Sequence, residues 1–149
     1  MSETPHAVSD VHELVAILNI VGITYYAVSA ERDEEFDDGD DAEKSGGQEW
    51  GLRIRHNENE YGARLRLEIT LAIGRVVVDA AMEYEAAEPF ELSQEIAYEF
   101  ANEVAIMALL PYMREAVASA TQRVFGEAML LPILPRGAIS FQPAADSDA

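Results

Sequence analysis

The three histidines of this 149-residue chain, His6, His12 and His56, stand far apart, and no cysteine is present to join them. His12-Glu13-Leu14-Val15-Ala16 begins like the zinc pattern His-Glu-x-x-His, but Ala16 stands where the second imidazole is required. Without two imidazoles one helical turn apart there is no metal-binding face, so His12 reads as an ordinary surface or interface residue. The acidic stretch from Glu31 to Gln48 invites a calcium reading. Aligning Gly39 with the glycine of such a loop puts Phe36 at a ligand position and Ser45 where the bidentate glutamate belongs, so the reading fails. There is no Gly-x-Ser-x-Gly elbow, no Gly-x-Gly-x-x-Gly turn and no phosphate-cradling Gly-Lys-Ser/Thr. With 28 acidic residues in the chain, carboxylate pairs arise by chance, and nothing selects two of them as acid and base. The expectation is a protein that is not an enzyme, with no catalytic residue, metal or cofactor.

What is left is charge and apolar surface. Arg53, Arg55, Arg64 and Arg66 alternate along two segments and could form a basic stripe. Cross-strand pairing with Glu49, Glu58, Glu60 and Glu68 is the expected fate of that stripe. The net charge of −18 repels nucleic-acid phosphates and anionic lipid, so neither is expected as a partner. The same charge keeps a protein soluble while it exposes apolar side chains, and 49% of the residues are hydrophobic. The first ten residues lack the basic start and apolar stretch of a signal peptide, and no run approaches the ~18 apolar residues of a membrane span. A cytoplasmic location follows.

The elements that must position these groups are legible from periodicity. Residues 1–9 read as a loose, flexible arm. Val11 to Leu18 suits a helical turn or an early strand, and Ile20 to Val28 a strand. Glu31 to Gln48 reads as a solvated acidic loop. Trp50, Leu52 and Ile54 alternate with Gly51, Arg53 and Arg55; Leu65, Leu67, Ile69 and Leu71 alternate with Arg64, Arg66, Glu68 and Thr70. Val76, Val78, Ala80, Met82 and Tyr84 share the buried face of the next strand, after a tight return at Gly74. Past Pro89 the period becomes helical: Ile96, Phe100, Val104, Met107, Leu110 and Val117 form a stripe over about 93–124. Pro111 lies inside it and predicts a kink or break. The fold class expected is α+β, a four-stranded antiparallel meander sheet packed with one long proline-kinked helix. Residues 10–141 form the domain and 142–149 an acidic tail. A single helix covers such a sheet only partly, which points to self-association.

The segment Leu109-Leu110-Pro111-Tyr112-Met113-Arg114-Glu115 resembles the helix motif of the SecB export-chaperone family. Phe100-Ala101-Asn102-Glu103 upstream and the proline-bearing Leu130 to Phe141 downstream fall in matching order. The resemblance covers roughly Ile20 to Phe141, and Pro111, Tyr112, Arg114 and Glu115 carry it. It implies a homotetramer, a dimer of dimers, with surface grooves that hold unfolded client polypeptide without ATP. The residues compatible with such a groove are Met107, Leu110, Met113, Met129, Leu130, Leu131, Ile133 and Leu134. Pro132 and Pro135 keep the last of these out of regular structure, and the methionines suit varied clients.

Two departures bear on the client. The family's first strand usually carries acids that dock the SecA motor, whereas Gly22-Ile23-Thr24-Tyr25-Tyr26 has none. Only eight residues follow Phe141, so the family's C-terminal helix is expected to be short or absent. Both turn the expectation from dedicated export towards SecB-like chaperones that protect an antitoxin in toxin–antitoxin systems, with a generic or pre-secretory role as the alternative. A different class of function, an oligomeric adaptor binding one folded partner through a sheet edge, also fits the pattern.

Overall fold

The computed structural model describes residues 5–36 and 47–143. The acidic stretch 37–46, most of the expected solvated loop, and the tail from 144 onward therefore lie outside the described residues. The flanks of that loop are more regular than expected, because the first long strand continues to Arg32.

The chain opens with β1 (His6–Ala7), which pairs in parallel with β6 (Phe90–Glu91), so residues 6–7 of the expected loose arm are tied down. Helix α1 (Val11–Ile17) resolves the ambiguity of Val11–Leu18 in favour of helix: the Asp10 carboxylate accepts the Glu13 N–H at 2.8 Å as its N-cap. Four long strands follow, β2 (Asn19–Arg32), β3 (Gln48–Asn57), β4 (Glu60–Thr70) and β5 (Gly74–Glu85). All pair antiparallel, in the spatial order β2-β5-β4-β3. The expected meander is thus corrected: β3, β4 and β5 follow one another as neighbours, but β2 lies beside the last of them, a Greek-key connection. The physical reason is burial. Strand β5 is the most completely covered, with Val76 through Met82 all buried, and a strand buried on both faces belongs inside the sheet. Gly74 at the β4–β5 return has no alternative, since a Cβ there would lie 1.9 Å from the Glu31 carbonyl oxygen.

On the inner face Tyr61, Leu65, Leu67, Ile69, Val76, Val78 and Tyr84 meet a nearly continuous helix. It consists of α2 (Gln94–Phe100), a π turn (Ala101–Ala105) and α3 (Ile106–Phe125). Ser93 caps its start by accepting the Ile96 N–H, and Gly126, at φ 82°, ends it in the left-handed conformation. The expected break at Pro111 does not occur. Pro111 is solvent-exposed, α3 runs through it, and the irregularity falls earlier, where the Ile106 N–H reaches back to the Ala101 carbonyl. A π turn inserts one residue and rotates the face that follows by ~100°. The core-facing stripe is consequently Ala97, Phe100, Ala101, Ala105, Ile106, Leu109, Met113 and Val117, while Ile96, Val104 and Met107 sit on its shoulder. Helix α3 lies across β5 and β2, and α1 rests against α2.

Candidate functional site

Beyond Gly126 the chain turns back along the helix as an irregular strap, residues 127–143. Prolines at 132 and 135 bar it from regular pairing, so its backbone groups need other partners. Three side chains of the helix supply them. The Thr121 hydroxyl donates to the Val117 carbonyl at 2.8 Å and accepts the Met129 N–H at 2.7 Å. Arg114 Nε donates to the Leu131 carbonyl at 3.2 Å. The Asn102 amide does both jobs for Phe141, donating to its carbonyl and accepting its N–H, each at 2.8 Å. That two-point contact is what a neighbouring β-strand would make. Thr121 was not singled out by sequence reasoning, and Asn102 entered only as part of the Phe100–Glu103 segment that carries the resemblance, with no role read for it; the available signal was a polar residue set among apolar ones on the helix.

The strap brings the expected groove residues together but divides them by exposure. Leu110, Met113 and Leu131 are buried. Met107, Met129 and Leu134 are partly buried against the core. Leu130 and Ile133 stand out into solvent, 79% and 80% exposed. Of the motif residues, Pro111, Arg114 and Glu115 line a recess of about 320 Å³ with Ala118, Leu130 and Leu131. The fourth, Tyr112, is exposed beside Tyr25 of β2, whose phenol is pushed up by partial burial and then by the charge of Glu115. A second recess, about 460 Å³, opens between the helix and the far end of the strap, with Tyr98, Asn102, Arg136 and Phe141 in its walls.

The other exposed large apolar side chains concentrate on one element. Ile20, Val21, Tyr25, Tyr26 and Val28 all belong to β2, an edge strand with no charged residue from Asn19 to Ala30. The outer face of the sheet, where the Tyr26 ring lies under Arg64, is otherwise polar. There Arg55 pairs with Glu60 and Glu83, Arg64 with Asp79, and Arg66 and Arg75 with Glu68, all at 2.7–2.9 Å. Glu60 thus takes the cross-strand role expected of it, whereas Glu68 meets Arg66 along its own strand and pairs across strands with Arg75, and Asp79 and Glu83 of β5 stand in for Glu49 and Glu58. Among the described residues no cluster of His, Asp and Glu could hold a metal ion, and no helix is long and apolar enough to cross a membrane. The arrangement offers sticky, non-covalent surface: an apolar strap and an open strand edge.

No family model matches the chain. It is 25% identical over 141 residues to the SecB-like chaperone SmegB of Mycolicibacterium smegmatis, an alignment covering 93% of this chain and 90% of that one. In fold it is similar to the Mycobacterium tuberculosis Rv1957 SecB-like chaperone, solved in complex with a ChAD peptide from the Rv1956 HigA1 antitoxin. That match has a TM-score of 0.67 at 19% identity, over 83% of this chain and 94% of the other. In sequence over nearly its whole length, and in fold, this chain is similar to the SecB-like chaperones.

Proposed function

We propose that the chain is a chaperone that holds extended, non-native polypeptide on its apolar strap and helix surface, without nucleotide, and that it acts in the cytoplasm as a homotetramer. The observation that carries this reading is the pair Leu130 and Ile133, large apolar side chains left in water on a strap that the helix holds by its backbone. A folding chain gains by burying such residues, so leaving them out calls for an outside partner. The likeness to SmegB over nearly the whole chain supports the same reading. Met107, Leu110, Met113, Met129, Leu131 and Leu134 would form the flexible wall behind them. Each contact is weak, on the order of 25 cal/mol per Å² of apolar surface removed from water. Holding therefore needs several client side chains, and several grooves on one oligomer multiply the affinity.

The client we favour is an antitoxin rather than a pre-secretory protein, because Gly22–Tyr26 offers no acid for the SecA motor. A second reading, an adaptor for one folded partner, is favoured by the uncharged edge of β2. One experiment separates them. A chemically denatured test protein is diluted into buffer with stoichiometric chaperone and no ATP, and light scattering is followed. The holdase suppresses scattering from unrelated clients. If no unfolded client is protected, the adaptor reading replaces it.

A further inference from the structure

The outer face of the sheet carries Arg53, Arg55, Arg64, Arg66 and Arg75, five of the ten basic residues of a chain with a net charge of −18. Three of them border a pocket of about 300 Å³ whose lining is Gly51, Leu52, Arg53, Arg64, Arg66 and Asp79. Arg53 and Arg64 face each other directly across the β3–β4 ladder, a like-charge pairing that costs stability unless an anion lies between them. Arg64 is fixed: its Nε and terminal nitrogen bind the two Asp79 carboxylate oxygens at 2.8 and 2.9 Å, and its guanidinium lies 3.7 Å over the Tyr26 ring. Asp79 is 5% exposed and is used up by that fork. Arg66 reaches Asp79 only at 3.9 Å and otherwise shares Glu68 with Arg75. Arg53 has no carboxylate within ion-pair distance among the described residues. Opposite Arg66 stands Gly51, where a Cβ would meet nothing within 4 Å, so the floor of the pocket stays open.

We infer that this pocket binds a phosphate group as a dianion. Among the described residues the pocket wall itself holds three guanidiniums, of Arg53, Arg64 and Arg66, against one carboxylate, of Asp79, an excess of two positive charges at the wall; Glu68, shared by Arg66 and Arg75, and Glu49, opposite Glu68 on the ladder, stand beyond it. A phosphate monoester or inorganic phosphate carries about −1.5 to −2 at pH 7 and matches that excess; a lone carboxylate does not. Guanidinium forks suit phosphate oxygens, and the prefixed Arg64 spares part of the ordering cost. The chain's overall negative charge does not prevent this, since carboxylates more than ~8 Å away are screened at physiological salt. The site lies on the sheet face opposite the helix and strap, so it does not depend on the chaperone reading.

The test is a titration of the full chain with sodium phosphate at constant ionic strength, followed by the arginine Nε–H resonances in NMR. Parallel arms use O-phosphoserine and acetate. Saturable shifts at Arg53 and Arg64 are expected, with affinity reduced ~10-fold or more in R53Q while the backbone amide spectrum is unchanged. Tighter binding of phosphoserine would support the site with a phosphorylated side chain as its natural source, and tighter inorganic phosphate would support it with the free ion. Shifts that rise linearly without saturation, acetate binding as tightly as phosphate, or an R53Q protein that titrates like the parent would each overturn the assignment.

Discussion

Tyr84 buries its hydroxyl with no hydrogen-bond partner among the described residues, in an aromatic triangle with Tyr61 and Phe100 whose ring centroids lie 5.0–6.0 Å apart. Tyr61 solves the same problem by donating to the Ala97 carbonyl at 2.7 Å. The two phenols should therefore respond oppositely to loss of oxygen. Tyr61→Phe removes a buried bond while the Ala97 carbonyl keeps the Ala101 N–H, at a cost of about 0.5–1.5 kcal/mol; Tyr84→Phe removes a dipole with no partner among the described residues and is neutral or stabilising. Urea unfolding of the two variants measures the difference, and equal losses would contradict the geometry. Burial also pushes both phenols up, Tyr84 to about 12 and Tyr61 further. With the folded values above the unfolded value of ~10, the stability these neutral phenols contribute is complete below pH 10 and is lost as pH rises through 10 to 12. Urea midpoints measured across that window should fall, and less steeply in Y84F. At this scale the sequence was informative about side and silent about partners. Alternation puts Tyr84 on the inner face and Asp79 on the outer one, but it does not say that Asp79 is buried under Arg64 or that Tyr84 lacks an acceptor.

Among the elements, the strands and the long helix were legible because each keeps one period over ten or more residues. The π turn was not, since Ala101–Ala105 has the same helix-forming composition as its neighbours and only the rotated face downstream betrays it. Strand order was hidden too: the link from β2 to β3 is polar and acidic, and such a loop spans one strand or three equally well. The strap was recognisable as irregular from Pro132 and Pro135, yet its anchors required the three-dimensional packing of helix on chain. Those anchors are testable. Asn102→Ala removes both bonds to Phe141, a local loss of about 1–3 kcal/mol, while Thr121 and Arg114 keep the nearer part in place. Hydrogen exchange should accelerate at the Phe141 amide by ~10-fold or more and stay unchanged at Met129. Uniform acceleration along the strap would mean that it opens as one unit.

On the scale of the whole molecule, two apolar surfaces compete for explanation, and they can be separated by where a charge is placed. Leu130 and Ile133 are so exposed that Leu130→Asp with Ile133→Asp should leave folding intact; if they hold clients, the double variant protects a denatured protein poorly at the stoichiometry where the parent succeeds. Strand β2 presents a different surface, an edge of unpaired backbone groups that is long, uncharged over its first twelve residues and flanked by exposed Ile20, Val21 and Tyr26. Such edges are commonly guarded by lysine, proline, bulges or cover; β2 has no lysine or proline, and its guards among the described residues are two register shifts, at Ile20–Gly22 and Tyr25–Ala27. The homotetramer proposed above would cover this edge by pairing it with a second copy, and a stable contact of this kind removes ~800 Å² from each partner. Val28→Lys puts a charge on that edge at a site already half open to water, so the protomer should fold while pairing fails. Light scattering coupled to size exclusion should then show the parent near four times 16.4 kDa and the variant at a smaller multiple. A parent that elutes at the mass of one chain would assign the bare edge to a different partner, while the strap variant would still report on client holding.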